Sequence, residues 1–208
     1  MARSIDPETP VPKAVRGFVP ARNEEERYLM RHIEDLARTA FGRGIPRYSN
    51  FLSDREQDLA RAALNRSGAE AFHFEGGWPG AERKILCLEP EGSYAASPLC
   101  CVRLRCRVQP GAELPTHRDY LGSLMGLELK REALGDIVLP ADQPGVAYVF
   151  ALETAAELIV QELRQAGHTD LTAESQPLDT LPTFPQEDRE IRTATVSSLR
   201  LDAVLAAM

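Results

Sequence analysis

The residues of this chain best suited by type and spacing to chemistry are a row of arginines and a helix-start motif, and the chemistry is anion binding. Arg103, Arg105 and Arg107 stand two apart, while Cys100, Val102, Leu104 and Cys106 alternate to the other side. This is the pattern of a strand with one apolar and one basic face. Guanidinium groups two residues apart on one face lie ~7 Å apart, near the spacing of phosphates along a nucleic-acid strand. The strand carries no aromatic residue on either face, so it offers no platform for base stacking. Further along, Thr116-His117-Arg118-Asp119 reads as a helix start. Thr116 supplies the capping hydroxyl and Asp119 the reciprocal side chain three residues later. His117 and Arg118 then sit where free backbone N–H groups favour an anion. Lys130 and Arg131 follow the helix as two more cations.

Catalytic readings of the same residues are weaker. His117-Arg118-Asp119 matches part of a kinase catalytic loop, but Leu124 stands where that loop needs Asn, and no Gly-rich loop with a downstream Lys precedes it. No acid–base partner for His117 is indicated, so a general base is not expected. Cys87, Cys100, Cys101 and Cys106 form no C-x-x-C pair, and the four histidines (His32, His73, His117, His168) are scattered. Spacing therefore indicates no metal and no cofactor; buried thiols are the expectation.

The 208 residues suffice for one or two domains with real cores, and 43% hydrophobic with 26% charged residues is ordinary for a soluble globular chain. No apolar run nears the ~18 residues of a membrane span. Neither a signal peptide nor a transit peptide is evident at the N-terminus, so a cytoplasmic setting is expected. The net charge of −7 argues against coating nucleic acid over the whole surface. Between Leu99 and Arg131, however, six Arg and Lys stand against three acids, whereas Gln165 to Asp188 holds five acids and no Arg or Lys. A local, selective anionic contact fits this distribution.

These residues need elements to hold them. Residues 1–20 contain four prolines and no periodicity and are expected to be a disordered tail. Residues 21–95 are read as a small αα-ββ unit. Asn23 caps a helix with its stripe at Leu29, Ile33, Leu36, Ala37 and Ala40, ended by Gly42, and Ser53 with Glu56 opens a second to about Asn65. Short strands are expected over 71–75 and 84–88. Residues 96–189 read as β-α-β-β-α: the arginine strand, a helix from 116 ended by Gly126 in a left-handed conformation, strands at 136–139 and 146–150, and a helix from Leu152 to Ala166 stopped by Gly167. One more strand would complete a ferredoxin-like, split βαβ sheet, the architecture of RRM modules, with two helices on one face and the other face open. The nearer candidate, Leu171 to Glu174, is favoured over Glu190 to Ser198, because a long Pro-rich loop inside a domain is unusual. The fold class is α+β.

The motifs also carry a family resemblance. THRDYLGS from residue 116, LKRE at 129–132 and GDI at 135–137 resemble the signature of the YlmH-type RNA-binding proteins, which end in an S4 domain. FLSDREQ at 51–57, GGWPGAERK at 76–84 and VSSLRLDAV at 196–204 agree in the same order. The resemblance runs from about Phe51 to the end and makes 190–208 a strand and the first helix of an incomplete S4 domain. It implies non-catalytic RNA binding, with rRNA or tRNA on the large ribosomal subunit as partner, a role in handling stalled ribosomes, and a link to cell division. It turns Arg103, Arg105, Arg107, His117, Arg118, Lys130, Arg131 and Arg200 into candidate RNA contacts. Two alternatives stay open: a protein-interaction adaptor, and an enzyme acting on phosphorylated substrates around His117.

Overall fold

The computed structural model describes residues 19–69, 71–93, 96–107 and 113–184. The expectations placed on 1–18 and on 185–208, including the S4 segment and Arg200, lie outside the described residues. Within them two antiparallel sheets stand back to back, each backed by a pair of helices.

The first unit has the order α1 (Glu24–Arg43), β1 (Arg47–Leu52), α2 (Asp54–Ser67), β2 (Phe72–Glu75) and β3 (Lys84–Leu88). Asn23 caps α1 as expected, its side chain accepting from the Glu26 backbone N–H, and Ser53 with Glu56 forms the capping box of α2. Helix α1 runs past Gly42 and ends at Gly44, which takes the left-handed conformation at φ 64°. Strand β1 is a correction to the expected αα-ββ order. RYSNFL lacks strict alternation because its ladder to β3 is irregular between Tyr48 and Phe51, which blurs the period of two. Val19 packs on this unit's core and the Pro20 carbonyl accepts from Arg55, so the expected tail is anchored from residue 19. The sheet order is β1-β3-β2. Leu86 and Leu88 of β3 face α1 and α2, while Ile85 and Cys87 face the second sheet.

The second unit comprises β4 (Leu99–Cys106), α3 (His117–Met125), β5 (Leu134–Val138), β6 (Val146–Leu152), α4 (Glu153–Glu162), β7 (Gln165–Ala166) and β8 (Thr169–Gln176). The order β5-β6-β4-β8 is the split βαβ arrangement, with β7 added at the edge by a hairpin. The nearer segment thus supplies the fourth strand. Val102, Leu104 and Cys106 pack under Tyr120 and Leu124 of α3 and Ile159 of α4.

Two local expectations differ. Helix α4 ends at Glu162 rather than Ala166, because the Arg164 guanidinium takes the carbonyls of Val160, Gln161 and Leu163. Gly167, at φ 59°, then turns the β7–β8 hairpin. Gly126 closes α3 in a right-handed conformation, and the positive φ falls on Glu128 instead.

The second sheet's other face is not open along its length, which corrects that expectation. Phe51, Ile85 and Cys87 of the first sheet meet Leu99, Cys101, Tyr148 and Phe150 of the second. The chain after β8 then lays Leu178, Leu181 and Phe184 over the same face. Phe184 packs edge-on to Trp78, Tyr148 and Phe150, with centroids 5.6, 5.1 and 6.5 Å away. Such pairs add about 0.5–1.5 kcal/mol each beyond burial. Part of the Pro-rich connector is therefore structural.

Candidate nucleic-acid interface

Covering one end of the sheet leaves its cations concentrated at the other. Arg103 lies opposite Glu174 of β8, and its Nη2 donates to the Glu174 carboxylate at 2.9 Å. Arg105, opposite Thr172 on one side and Val146 on the other, is exposed and makes no ion pair among the described residues. Arg107 follows the strand; its backbone N–H donates to the Asp170 carbonyl at 2.9 Å and its side chain is exposed. The row is chemically uneven: Arg103 is neutralised by a neighbour, whereas Arg105 and Arg107 have no ion pair among the described residues.

Helix α3 starts at the same end. Buried Tyr120, in its first turn, places its hydroxyl 3.0 Å from the Cys106 sulfur, next to Arg107. Burial and the adjoining sulfur push the Tyr120 phenol well above its usual range, so it stays neutral. The expected capping box is present: the Thr116 N–H and hydroxyl donate to the Asp119 carboxylate at 2.8 and 2.7 Å. These bonds hold the Asp119 carboxyl below the ordinary aspartate range. His117 and Arg118 are exposed at this terminus, and the β7–β8 turn brings Gly167 beside Asp119 with His168 close enough to stabilise its charge. Arg105, Arg107, His117, Arg118 and His168 thus gather around one end of the sheet. The carboxylates of Asp119 and Asp170 are opposing charges at the same end.

Lys130 and Arg131 lie elsewhere. Lys130 is exposed just before a 3-10 turn (Arg131–Ala133). Arg131 turns its Nη1 onto the carbonyls of Leu134 and Gly135, at 2.6 and 3.2 Å. Partial burial, then the neighbouring Arg83 charge, lowers its pKa, which still leaves it cationic. Arg83 donates to the same Leu134 carbonyl at 3.1 Å and to the Phe51 carbonyl at 3.0 Å. Asp136 answers by accepting from the backbone N–H groups of Glu82 and Arg83, at 2.7 and 3.1 Å, and from Trp78 Nε1 at 3.3 Å.

This latch joins the GGWPGAERK loop of the first unit to the KREALGD stretch of the second. It explains the glycines in both. Gly77 has φ 88° and leaves only 2.4 Å between a hypothetical Cβ and the Phe150 ring; a Cβ on Gly135 would lie 2.6 Å from Phe51. Sequence reasoning did not find Asp136 as the partner of the Glu82-Arg83-Lys84 stretch. It also missed the aromatic pair Tyr148 and Phe150 on β6. Their spacing of two in VAYVFAL is a readable signal, yet both are buried in the seam and unavailable for base stacking.

The comparisons agree with this architecture. Residues 112–180 match the family model described as "Putative RNA-binding domain in YlmH", a span that holds α3, α4, β5 to β8, His117, Arg118 and His168 and begins after β4 and its arginines. The chain is 37% identical over 161 residues to the ribosome-associated protein quality control protein P2 of Bacillus subtilis (strain 168). That match takes in 77% of this chain and 61% of the relative, so the chain spans less than two thirds of the relative's length. The structure of cell division protein ylmH from Streptococcus pneumoniae superposes with a TM-score of 0.59 at 17% identity, over 78% of this chain and 98% of that one, and so shares its fold. The family-model match, the curated relative and the shared fold all make the chain similar to the YlmH-type family.

Proposed function

We propose that this protein binds RNA on the ribosome without catalysing a reaction, and that it acts in the cytoplasm on rRNA or tRNA of the large subunit, in the handling of stalled ribosomes. The observation that carries the reading is the gathering of Arg105 and Arg107, without an ion pair among the described residues, with His117, Arg118 and His168 at one end of the sheet, the last three inside the segment matching an RNA-binding family model and the arginines at the end of β4 just before it. The relative's name, which places it in ribosome-associated quality control, supports the ribosomal setting. The name of the structural neighbour supports a connection to cell division as a secondary expectation. The cluster suits backbone phosphates rather than bases: its cations are exposed, and the aromatic side chains of the same face are packed away. Lys130 adds an exposed cation away from the cluster, whereas Arg131 is committed to backbone carbonyls and contributes through its charge alone.

The test is crosslinking of the full chain to RNA in cells, followed by sequencing of what is bound. Enrichment of large-subunit rRNA or tRNA is expected, and it should fall when Arg105 and Arg107 are both replaced by Ala. Recovery no better than from a non-binding control chain would overturn the proposal. Purified protein should turn over no phosphoester; turnover abolished by His117→Ala in a folded variant would establish an enzyme instead.

A further inference from the structure

We propose that His73, Glu75 and Cys87 bind a divalent transition-metal ion of the zinc class. The β2–β3 ladder sets His73 directly opposite Cys87, and Glu75 follows two residues on, so all three side chains leave the same face of the sheet. One ligand atom from each lies within 4.8 Å of the other two. The Cys87 sulfur and Glu75 Oε2 are 3.9 Å apart. Tetrahedral zinc, with bonds of about 2.0–2.3 Å, holds its ligand atoms roughly 3.3–3.8 Å from one another. An inward movement of about 1 Å, chiefly by exposed His73, would complete the geometry.

The donor set is one imidazole, one carboxylate and one thiolate. That mixture favours Zn²⁺ over Mg²⁺ or Ca²⁺, which prefer all-oxygen shells. The surroundings resemble an outer shell for such a site. Glu89 Oε2 is 4.0 Å from His73 Nδ1, beyond hydrogen-bond length but near enough to add a second carboxylate beside the imidazole. The Tyr48 hydroxyl donates to the other Glu89 oxygen at 3.2 Å, and the Ser97 hydroxyl reaches Glu75 Oε2 at 3.4 Å. Two carboxylates beside a buried thiol make the local field negative, as a cation requires. Three protein ligands leave a fourth position for water or for Glu89. The ion would tie edge strand β2 to central strand β3 and, through Ser97, to the link between the two sheets. The sequence concealed the group because positions 73, 75 and 87 have no metal-motif spacing; the hairpin register brings them together.

The experiment titrates the purified full chain with Zn²⁺ alone, by calorimetry, and with Co²⁺ as an optical substitute. One equivalent should bind with micromolar or tighter affinity, and Co²⁺ should give a thiolate-to-metal charge-transfer band. His73→Ala and Glu75→Gln should each weaken binding by at least ~10-fold, on the scale of losses at metal sites. Cys87→Ser should remove the band. Because Cys87 is buried, its replacement can unfold the seam; His73, with its side chain 54% exposed, is replaceable without that risk. No stoichiometric binding, or equal affinity in wild type and folded His73→Ala, would overturn the proposal.

Discussion

Glu174→Ala should strengthen RNA binding, although the residue is an acid on a strand that needs no direct RNA contact. The reason is the 2.9 Å ion pair that occupies Arg103. With Glu174 present, Arg103 meets a phosphate only by sharing or breaking that pair, so it releases little counterion on binding. Arg105 and Arg107 have no such partner among the described residues and should each count as one phosphate contact. For single-stranded RNA a contact contributes about 0.7 to the slope of log affinity against log salt. Replacing both with Ala should therefore make the slope less negative by about 1.4. Across a fourfold rise in salt, wild type would then lose about sevenfold more affinity than the double variant. Arg103→Ala alone should change the slope little. Glu174→Ala should add about 0.7 and tighten binding by about 1.4- to 5-fold, since an exposed pair is worth roughly 0.2–1 kcal/mol. The assay is fluorescence anisotropy with one large-subunit RNA fragment at four salt concentrations, with circular dichroism as the check on folding. The reasoning fails if Arg103→Ala flattens the slope as much as Arg105→Ala, or if Glu174→Ala changes neither slope nor affinity.

Other expectations follow from the seam and the cap. Asp136→Ala strands three N–H donors; with each charged hydrogen bond discounted for partial exposure, the loss should be about 3 kcal/mol, a melting temperature lower by about 6–12 °C in calorimetry. A loss near zero would mean the latch is decorative. Gly77→Ala must take a positive φ and displace the Phe150 ring, at a combined cost of about 2–5 kcal/mol in denaturant titration. The Asp119 carboxyl is depressed in the folded state, so its stabilisation is full above the unfolded value near 3.9 and disappears as pH falls through the lower folded value. Asp119→Asn should flatten that acid limb of the stability curve, and an unchanged limb would remove Asp119 as its source.

Local signals were legible in the sequence wherever one residue's hydrogen bonding or one period decides structure. Asn23, Ser53 and Thr116 announced their helices, the alternation from Cys100 to Arg107 announced β4, and the family motifs announced the fold. Where several segments compete, the sequence stayed ambiguous. Gly167 reads equally as a helix stop and a hairpin turn, and only Arg164 on the α4 carbonyls decided between them. The arginine row is the sharpest case. Sequence made Arg103, Arg105 and Arg107 equivalent, because alternation fixes which side of a strand a residue takes but not what faces it. The partner of Arg103 is 71 residues away, and the aromatic residues on the same face are sealed by a first sheet and a connector that packing alone brings there. Asp136 joins residues more than 50 positions distant for the same reason. A pattern in one strand carries no information about which distant surface buries it, and that choice rests with the tertiary structure.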